Sequence, residues 1–350
     1  MFCYLSRNYR GVDGAGNKAK TDIEYVLSEA GFRNVGLRQS LNRNAVRGFF
    51  HTLASVLRGL CVLRQGDVLV LQYPFKKFYS FVCRMAHLRG CRIVTVVHDL
   101  GSFRRKRLTP QQEVVRLGRS DVVVVHTEAM KAWLQSQGLE REMVVLNLFD
   151  YLSESKPETS GKASTDVTYR VMFVGGLDSA NDGFVYELVN HPRHYSVQLY
   201  GHGFEPEHAC GQVDYRGFIP SDQLIRTANA HFGIVWYGNS LDGCQGGEVG
   251  EYLRYNSPHK LSLYIRCGLP VVIWAKAGLA DFVRTHGIGF CFESLEQLDE
   301  TLASLRVEEY EAMKRKVAEM SRLVSSGHFC RAAVGKACHA LGYETPFYQS

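Results

Sequence analysis

A lysine in the first turn of a helix works against that helix. Residues 252–274 read YLRYNSPHKLSLYIRCGLPVVIW, and Pro258 can open a helix there because its missing N–H is an orphan in the first turn anyway. His259 and Lys260 then fall in that turn, close to Asn256, where positive side chains oppose the positive end of the helix dipole. An anion docked on the helix end reverses the sign. A diphosphate would satisfy both the free N–H groups and the Lys260 ammonium. The plain alternative is an exposed lysine on a surface helix.

Two glycine-bearing turns offer related chemistry. RNYRGVDGAGNKAKTD, residues 7–22, follows an apolar run and leads into a helical stretch. Gly11, Gly14 and Gly16 allow close backbone approach to an anion at the helix start. The G-x-G-x-x-G spacing of dinucleotide sites is absent, and an ordinary tight turn accounts for the same residues. In the second half, FVGGLDSAND (173–182) puts Gly175 and Gly176 at the end of an apolar run in the same way. The segment SFRRKRLTP, from residue 102, concentrates Arg104, Arg105, Lys106 and Arg107 in one loop. That loop is a candidate contact for an anionic surface or simply a solvated charge run.

Charge divides unevenly along the 350 residues. Residues 1–150 carry 23 Lys and Arg against 12 Asp and Glu, and the remainder carries 18 against 23. The basic half would be drawn to phosphates, a membrane surface or nucleic acid. No nucleic-acid module or aromatic-basic interleaving supports the last of these. The ten cysteines contain no C-x-x-C pair, so neither a zinc site nor a disulfide framework is indicated. No apolar run reaches the roughly 20 residues that span a bilayer. The N-terminus lacks the long apolar centre of a signal peptide, and a cytoplasmic chain is expected.

These residues need elements to hold them. FCYLS, NVGL, DVLVLQ, CRIVTVVHD, DVVVVH and MVVLN are near-continuous apolar runs, as expected of strands buried on both faces of a parallel sheet. Helical patterns at 17–31, 45–62 and 76–89 lie between them, giving a βα alternation. Apolar residues vanish at SESKPETSGKASTD, 153–166, which reads as a linker. Beyond it YRVMFVGGL, SVQLYG, VDYRG, HFGIVW, LPVVIW and IGFCF resume the alternation, and two or three helices follow from about residue 294. The predicted architecture is α/β with two Rossmann-like, doubly wound parallel-sheet domains facing across a cleft, the GT-B arrangement. Its parts are a first domain over 1–152, the linker 153–166, a second domain over 167–325, and a C-terminal helix over 326–350 that would pack back on the first domain or against a partner chain, including a second copy of this one.

The run GIVWYGNSLDGCQGGEVGEYLRYNSPHKLSLYIRCGLPVVIWAKAGLADFV, residues 233–283, resembles a bacterial glycosyltransferase family. It is supported by DGAGNKAKTD (13–22), VVHDL (96–100), DVVVVHTEAM (121–130) and LFDYL (148–152). The family includes β-1,6-galactofuranosyltransferases of lipopolysaccharide O-antigen synthesis and the glucosyltransferase that extends N-acetylglucosamine on streptococcal serine-rich adhesins. The resemblance implies a UDP-sugar donor on the second domain and a glycan acceptor, lipid-linked in the O-antigen case, on the first.

Carried over residue by residue, Asn256, His259 and Lys260 would face the diphosphate or sugar, and Gly175 and Gly176 would line the donor side. Asp242, with Gly243, Gly247 and Gly250, would form a loop over the sugar. Asp13, Gly14 and Gly16 would approach from the first domain. Asn239 stands where some members would carry an acid. No metal or other cofactor is implied, in keeping with the lack of a D-x-D pair. A displacement by an acceptor hydroxyl also needs a base. Asp99 follows His98 at the end of an apolar run and is one candidate, Asp13 the other, while a helix cap is the alternative use of Asp99. His126 reads as a packing or acceptor-contact residue. Arg104 to Arg107 would meet the inner leaflet that carries a lipid-linked acceptor. A UDP-glucose enzyme acting on glycoprotein N-acetylglucosamine and a catalytically silent partner subunit are the alternatives.

Overall fold

A computed structural model describes residues 1–9, 11, 15–75, 78–104, 108–158, 168–210, 213–245, 248–345 and 347. The chain divides into two compact units, Met1–Asp150 with Gly327–Ser350, and Tyr151–Ser326.

The first unit holds strands β1 (Phe2–Tyr4), β2 (Arg33–Asn34), β3 (Val68–Tyr73), β4 (Arg92–Val97), β5 (Val122–Val125) and β6 (Glu142–Val145). Among the described residues they form one parallel sheet in the order β2-β1-β3-β4-β5-β6. β3 and β5 are buried along their whole length, as uninterrupted Val and Leu runs require when helices cover both faces. The helices are α1 (Ala15–Glu29), α2 (Ala45–Val62), α3 (Tyr79–Leu88), α4 (Gly101–Arg104), α5 (Pro110–Leu117) and α6 (Glu128–Ser136). Their starts follow local chemistry. Asn44 caps α2 through Val46 and Arg47 N–H, Thr109 and Gln112 form a capping box before Pro110, and Thr127 caps α6. The expected strand at NVGL shrinks to two residues. Gly36 has no room for a side chain, since a Cβ would lie 2.6 Å from the Ser6 carbonyl oxygen, and the segment there is held by the Asn34 side chain instead.

The second unit holds β7 (Arg170–Gly176), β8 (Ser196–His202), β9 (Asp214–Tyr215), β10 (Phe232–Val235), β11 (Val271–Trp274) and β12 (Gly289–Phe292). Their order is β12-β11-β10-β7-β8-β9, again all parallel. Its helices are α7 (Ser179–Asp182), α8 (Phe184–Asn190), α9 (Ser221–Thr227), α10 (Glu248–Tyr252), α11 (His259–Arg266), α12 (Ala280–His286), α13 (Gln297–Ser304) and α14 (Val307–Ser326). A last helix, α15 (His328–Ala340), belongs to the first unit and packs on β5 and β6. Its opening residue Gly327 offers no side-chain cap, so the buried Asp150 carboxylate accepts from Phe329 N–H at 3.2 Å and Cys330 N–H at 2.7 Å. Burial pushes that carboxyl up to about 7.

In the second sheet the order reverses between β7 and β10, whose ladder pairs only Val171 with Phe232 and Met172 with Gly233. Beyond that point Tyr264 of α11 supplies the missing partners. Its hydroxyl accepts from Val174 N–H at 2.9 Å and donates to the Ile234 carbonyl at 3.1 Å. Gly233 admits the ring, since a Cβ there would lie 2.3 Å from it. Tyr264→Phe leaves a buried donor and acceptor unpaired and is expected to cost about 1–3 kcal/mol. Denaturant unfolding checks it, and an unchanged midpoint would show that the two groups find other partners.

Candidate functional site

Ligands of open α/β sheets bind at the carboxyl ends of the strands where the order reverses. In the second unit that point is the end of β7, and Tyr264 fixes α11 against it. The helix begins at His259, with Pro258 as the residue before it. The sequence expectation that Pro258 is itself the first helical residue is therefore off by one. Lys260 remains in the first turn.

Aromatic faces hold the Lys260 ammonium. Its Nζ lies 4.1 Å from the centre of the Phe173 ring and 4.1 Å from that of Tyr237. A Cβ on Gly175 would stand 3.2 Å from the same nitrogen, so glycine is what lets the ammonium lie against the strand end. Among the described residues no hydrogen bond or ion pair ends on Nζ. Burial lowers its pKa to about 8, while the Asp182 carboxylate works in the opposite direction. Asp182 closes α7 and is itself buried, with Oδ1 lacking a hydrogen-bond partner. Burial raises that carboxyl to about 6, against the pull of Lys260. Gly176 lies beside it, since a Cβ there would be 3.4 Å from Asp182 Oδ2. Two desolvated, opposite charges thus flank the glycine pair without either being fully hydrogen-bonded.

The remaining expected residues distribute as follows. The Asn256 Oδ1 is buried without a hydrogen-bond partner four residues ahead of Lys260. His259 is buried with its ring stacked on Tyr151 at 4.6 Å. Asp242 is exposed, its N–H donating to Ser240 Oγ. Gly243 has φ +107° and lies against Trp274, and Gly250 leaves no room for a Cβ over the Cys244 carbonyl, so both are required by the loop's own packing. Gly247 lies outside the described residues. Asn239 spends both ends of its amide internally, donating to the Ala180 carbonyl at 3.2 Å and accepting from Gly183 N–H at 3.0 Å. An acid could not make the first of these bonds.

In the first unit the order reverses between β1 and β3. Asp13 and Gly14 lie outside the described residues, and Gly16 falls in the first turn of α1. That edge carries a polar network of Ser6, Tyr9, Glu24, Gln72 and His98 that no local motif announces. Ser6 Oγ and Tyr9 Oη donate to the two oxygens of Glu24 at 2.7 and 2.6 Å, and Gln72 Nε2 donates to Tyr9 Oη while its Oε1 meets His98 Nε2 at 2.7 Å. Burial pushes the Glu24 carboxyl up to about 7. Arg7 donates to the Gln72 and Pro74 carbonyls and stacks over Phe75. Asp99 is half-buried between β4 and α4, directly after His98, whose ring stacks on Phe149 at 5.2 Å. His126 is buried with its Nε2 2.9 Å from the Val97 carbonyl oxygen, and burial lowers its pKa to about 4. Arg104 ends α4, and Arg105, Lys106 and Arg107 lie outside the described residues.

The aspartate and the two aromatic rings around Lys260 come from segments far apart in the chain, so no local pattern picks out Asp182, Phe173 and Tyr237 together. The only local signal was the second aspartate of LDSAND, four residues after the one that caps α7.

Two parallel six-stranded sheets with this corner on the second are those of a GT-B glycosyltransferase. The lipopolysaccharide outer core galactosyltransferase WaaB, apo form, superposes with a TM-score of 0.58 at 10% identity, over 96% of this chain and 99% of that one. WaaG, a glycosyltransferase involved in lipopolysaccharide biosynthesis, gives 0.50 at 12% identity, over 95% and 98%. Residues 2–148 match the N-terminal domain and residues 171–337 the C-terminal domain of the family described as glucosyltransferase 3-like. The chain is 30% identical over 277 residues to the β-1,6-galactofuranosyltransferase WbbI of Escherichia coli K12, covering 78% of this chain and 79% of the relative. It is 24% identical over 280 residues to glucosyltransferase 3 of Streptococcus gordonii, covering 76% and 77%. The chain belongs to this glucosyltransferase 3-like family and is a glycosyltransferase.

The Asp182 carboxylate is the main group holding the Lys260 pKa as high as about 8. In Asp182→Asn that pKa is expected to fall further, as followed by NMR titration of the lysine side chain. An unchanged value would show that the two charges do not sense one another.

Proposed function

We propose that this glycosyltransferase moves a hexose from a UDP-sugar to a glycan acceptor, with galactofuranose as the favoured sugar and a β-1,6 bond as the product. The observation that carries the donor assignment is the Lys260 ammonium, desolvated against two rings in the first turn of α11 and without an anionic hydrogen-bond partner among the described residues. A diphosphate supplies that partner and lies at the positive end of the helix. Asn256 and His259 complete the diphosphate side. Gly175 and Gly176 give the donor backbone access, and Asp242 lies in the loop over the sugar. As the bond from the anomeric carbon to UDP breaks, negative charge gathers on the leaving phosphate, where the helix end and Lys260 stabilise it without a metal ion.

The acceptor oxygen bonds to the anomeric carbon and loses its proton to a carboxylate of the first unit, Asp99 in this reading, with Asp13 the second candidate. Galactofuranose is favoured because the 30% identical relative is named as a β-1,6-galactofuranosyltransferase. The acceptor in this reading is linked to a lipid, which would bring the enzyme to the inner face of the cytoplasmic membrane. A UDP-glucose enzyme acting on glycoprotein N-acetylglucosamine is the second reading, favoured by the family match to glucosyltransferase 3.

UDP release from UDP-galactofuranose, UDP-glucose, UDP-galactose and UDP-N-acetylglucosamine, with alkyl glycosides as acceptors and chelator present, tests the proposal. Turnover of one donor is expected, and Lys260→Ala should lower kcat/KM by about 10–100-fold, the worth of a charged hydrogen bond. Asp99→Asn should lower kcat by at least about 100-fold with donor affinity unchanged. Failure to bind UDP at all would overturn the reading and point to a silent partner subunit.

A pH series adds a second check. A bound anion favours the ammonium, so Lys260 has a higher pKa in the complex than its free value of about 8. UDP affinity is therefore flat from about pH 7 to 8, above the ionisation of the Asp182 carboxyl and of the UDP phosphate, and weakens by up to about tenfold per unit above pH 8. Lys260→Arg should abolish that decline, and a decline that persists would assign it to another group.

A further inference from the structure

Helix α2 is apolar on two faces. Its inner face, with Gly48, Ser55, Val56, Gly59 and Leu60, is buried. Val46, Phe50 and Leu57 recur at spacings that return to one face of a helix, and that face is turned to solvent, with Val46 64% and Phe50 61% exposed. Phe49 widens the stripe, touching Phe50 edge-on and lying 5.8 Å from Phe78, and exposed Phe81 continues it on the neighbouring α3. Exposed apolar side chains gathered in this way mark an interaction surface.

Its charge identifies the partner. From Ala30 to His98 the chain carries eleven Lys and Arg and one acid, Asp67. Arg43, Arg47 and Arg58 on or beside α2 and Arg84 on α3 are exposed. A stripe of Phe, Leu and Val rimmed by arginines matches a surface that is anionic outside and apolar beneath, the design of interfacial helices. No helix among the described residues is long and apolar enough to cross a membrane, so contact by this route is peripheral. We propose that the outer face of α2, extended by Phe81, docks on an anionic phospholipid bilayer. The position suits an acceptor that arrives in a membrane. Asn8, in the loop after β1, donates to the Asn42 carbonyl at 2.9 Å, and Gly48 lies against the same Asn8 side chain. The start of α2 therefore adjoins the carboxyl edge of the first sheet. This use of the surface rests on the lipid-linked acceptor proposed above; the docking itself does not.

Co-sedimentation with vesicles of phosphatidylcholine alone and of phosphatidylcholine with phosphatidylglycerol tests it on the full chain. Binding is expected only to the second, weakening as salt is raised. The double variant Phe49→Ser/Phe50→Ser should abolish binding, and Arg47→Gln/Arg58→Gln should weaken it by about fivefold per arginine. UDP release to a soluble acceptor and thermal stability should stay as in the parent. Equal binding to both vesicle types, or binding that survives the phenylalanine changes, overturns the proposal. So does a concentration-dependent dimer that the phenylalanine changes dissociate, since a second copy would then cover the face. Vesicle binding without any UDP release would instead sink the transferase reading and leave the docking surface standing.

Discussion

Every buried peptide group needs a partner, and at the point where β7 and β10 part the ladder cannot supply one. Tyr264 answers that need. Its hydroxyl joins Val174 N–H to the Ile234 carbonyl, and its ring occupies the space that Gly233 leaves by lacking a side chain. The consequence reaches past stability. Pinning Tyr264 pins α11, and with it the register that delivers Lys260, one helical turn earlier, to Phe173 and the strand end at Gly175. A backbone defect inherent to reversing strand order is thus what fixes the cationic corner in place.

The corner is held in an electrostatic state that favours an incoming anion. Lys260 is placed against quadrupoles, which attract a cation without neutralising it, while Asp182 contributes attraction from a carboxyl whose own ionisation burial resists. A direct, fully hydrogen-bonded ion pair would leave nothing for a ligand to gain. Here the ammonium keeps its donors available, and an anion that reaches it and the helix N–H groups lowers its free energy, whereas the Asp182 carboxylate gains nothing from an anion. Glycine at 175 serves the same end, since a Cβ there would stand 3.2 Å from the lysine nitrogen.

Much of this was legible in the sequence where the signal is local. Strands such as LPVVIW announce themselves by uninterrupted apolar residues, α2 spans 45–62 as its pattern and Asn44 cap require, and a lysine opposing a helix dipole is visible from one segment alone. Pro258 misleads by one residue because proline is equally at ease just outside a helix, with the extended backbone it has here. Contacts formed across the fold left no such trace. Nothing in GIVWYG says that Tyr237 will roof a lysine 23 positions on, and nothing in α1 says that Glu24 will take two hydroxyls from the loop after β1. Asn239 shows the converse, because its departure from an expected acid has a purely structural use in tying its loop to Ala180 and Gly183.

The two units spend their polar groups differently, and that difference argues for a division of labour. At the carboxyl edge of the first sheet, Arg7 is committed to two carbonyls, Glu24 to two hydroxyls, and Gln72 joins Tyr9 to His98. With the cation and the carboxylate of that network already engaged, it is suited to holding side chains in fixed positions around a neutral hydroxylated ligand, for which many modest hydrogen bonds suffice. At the second sheet the cation has no hydrogen-bond partner among the described residues and two buried acceptors, on Asn256 and Asp182, are unsatisfied. An ammonium without a hydrogen-bond partner costs stability in the ligand-free chain and is retained where an anionic ligand can discharge that cost, while the two acceptors can be met only by a donor such as a hydroxyl. That difference is the physical support for the proposed placement of the donor phosphates at the second edge and of a hydroxylated acceptor at the first.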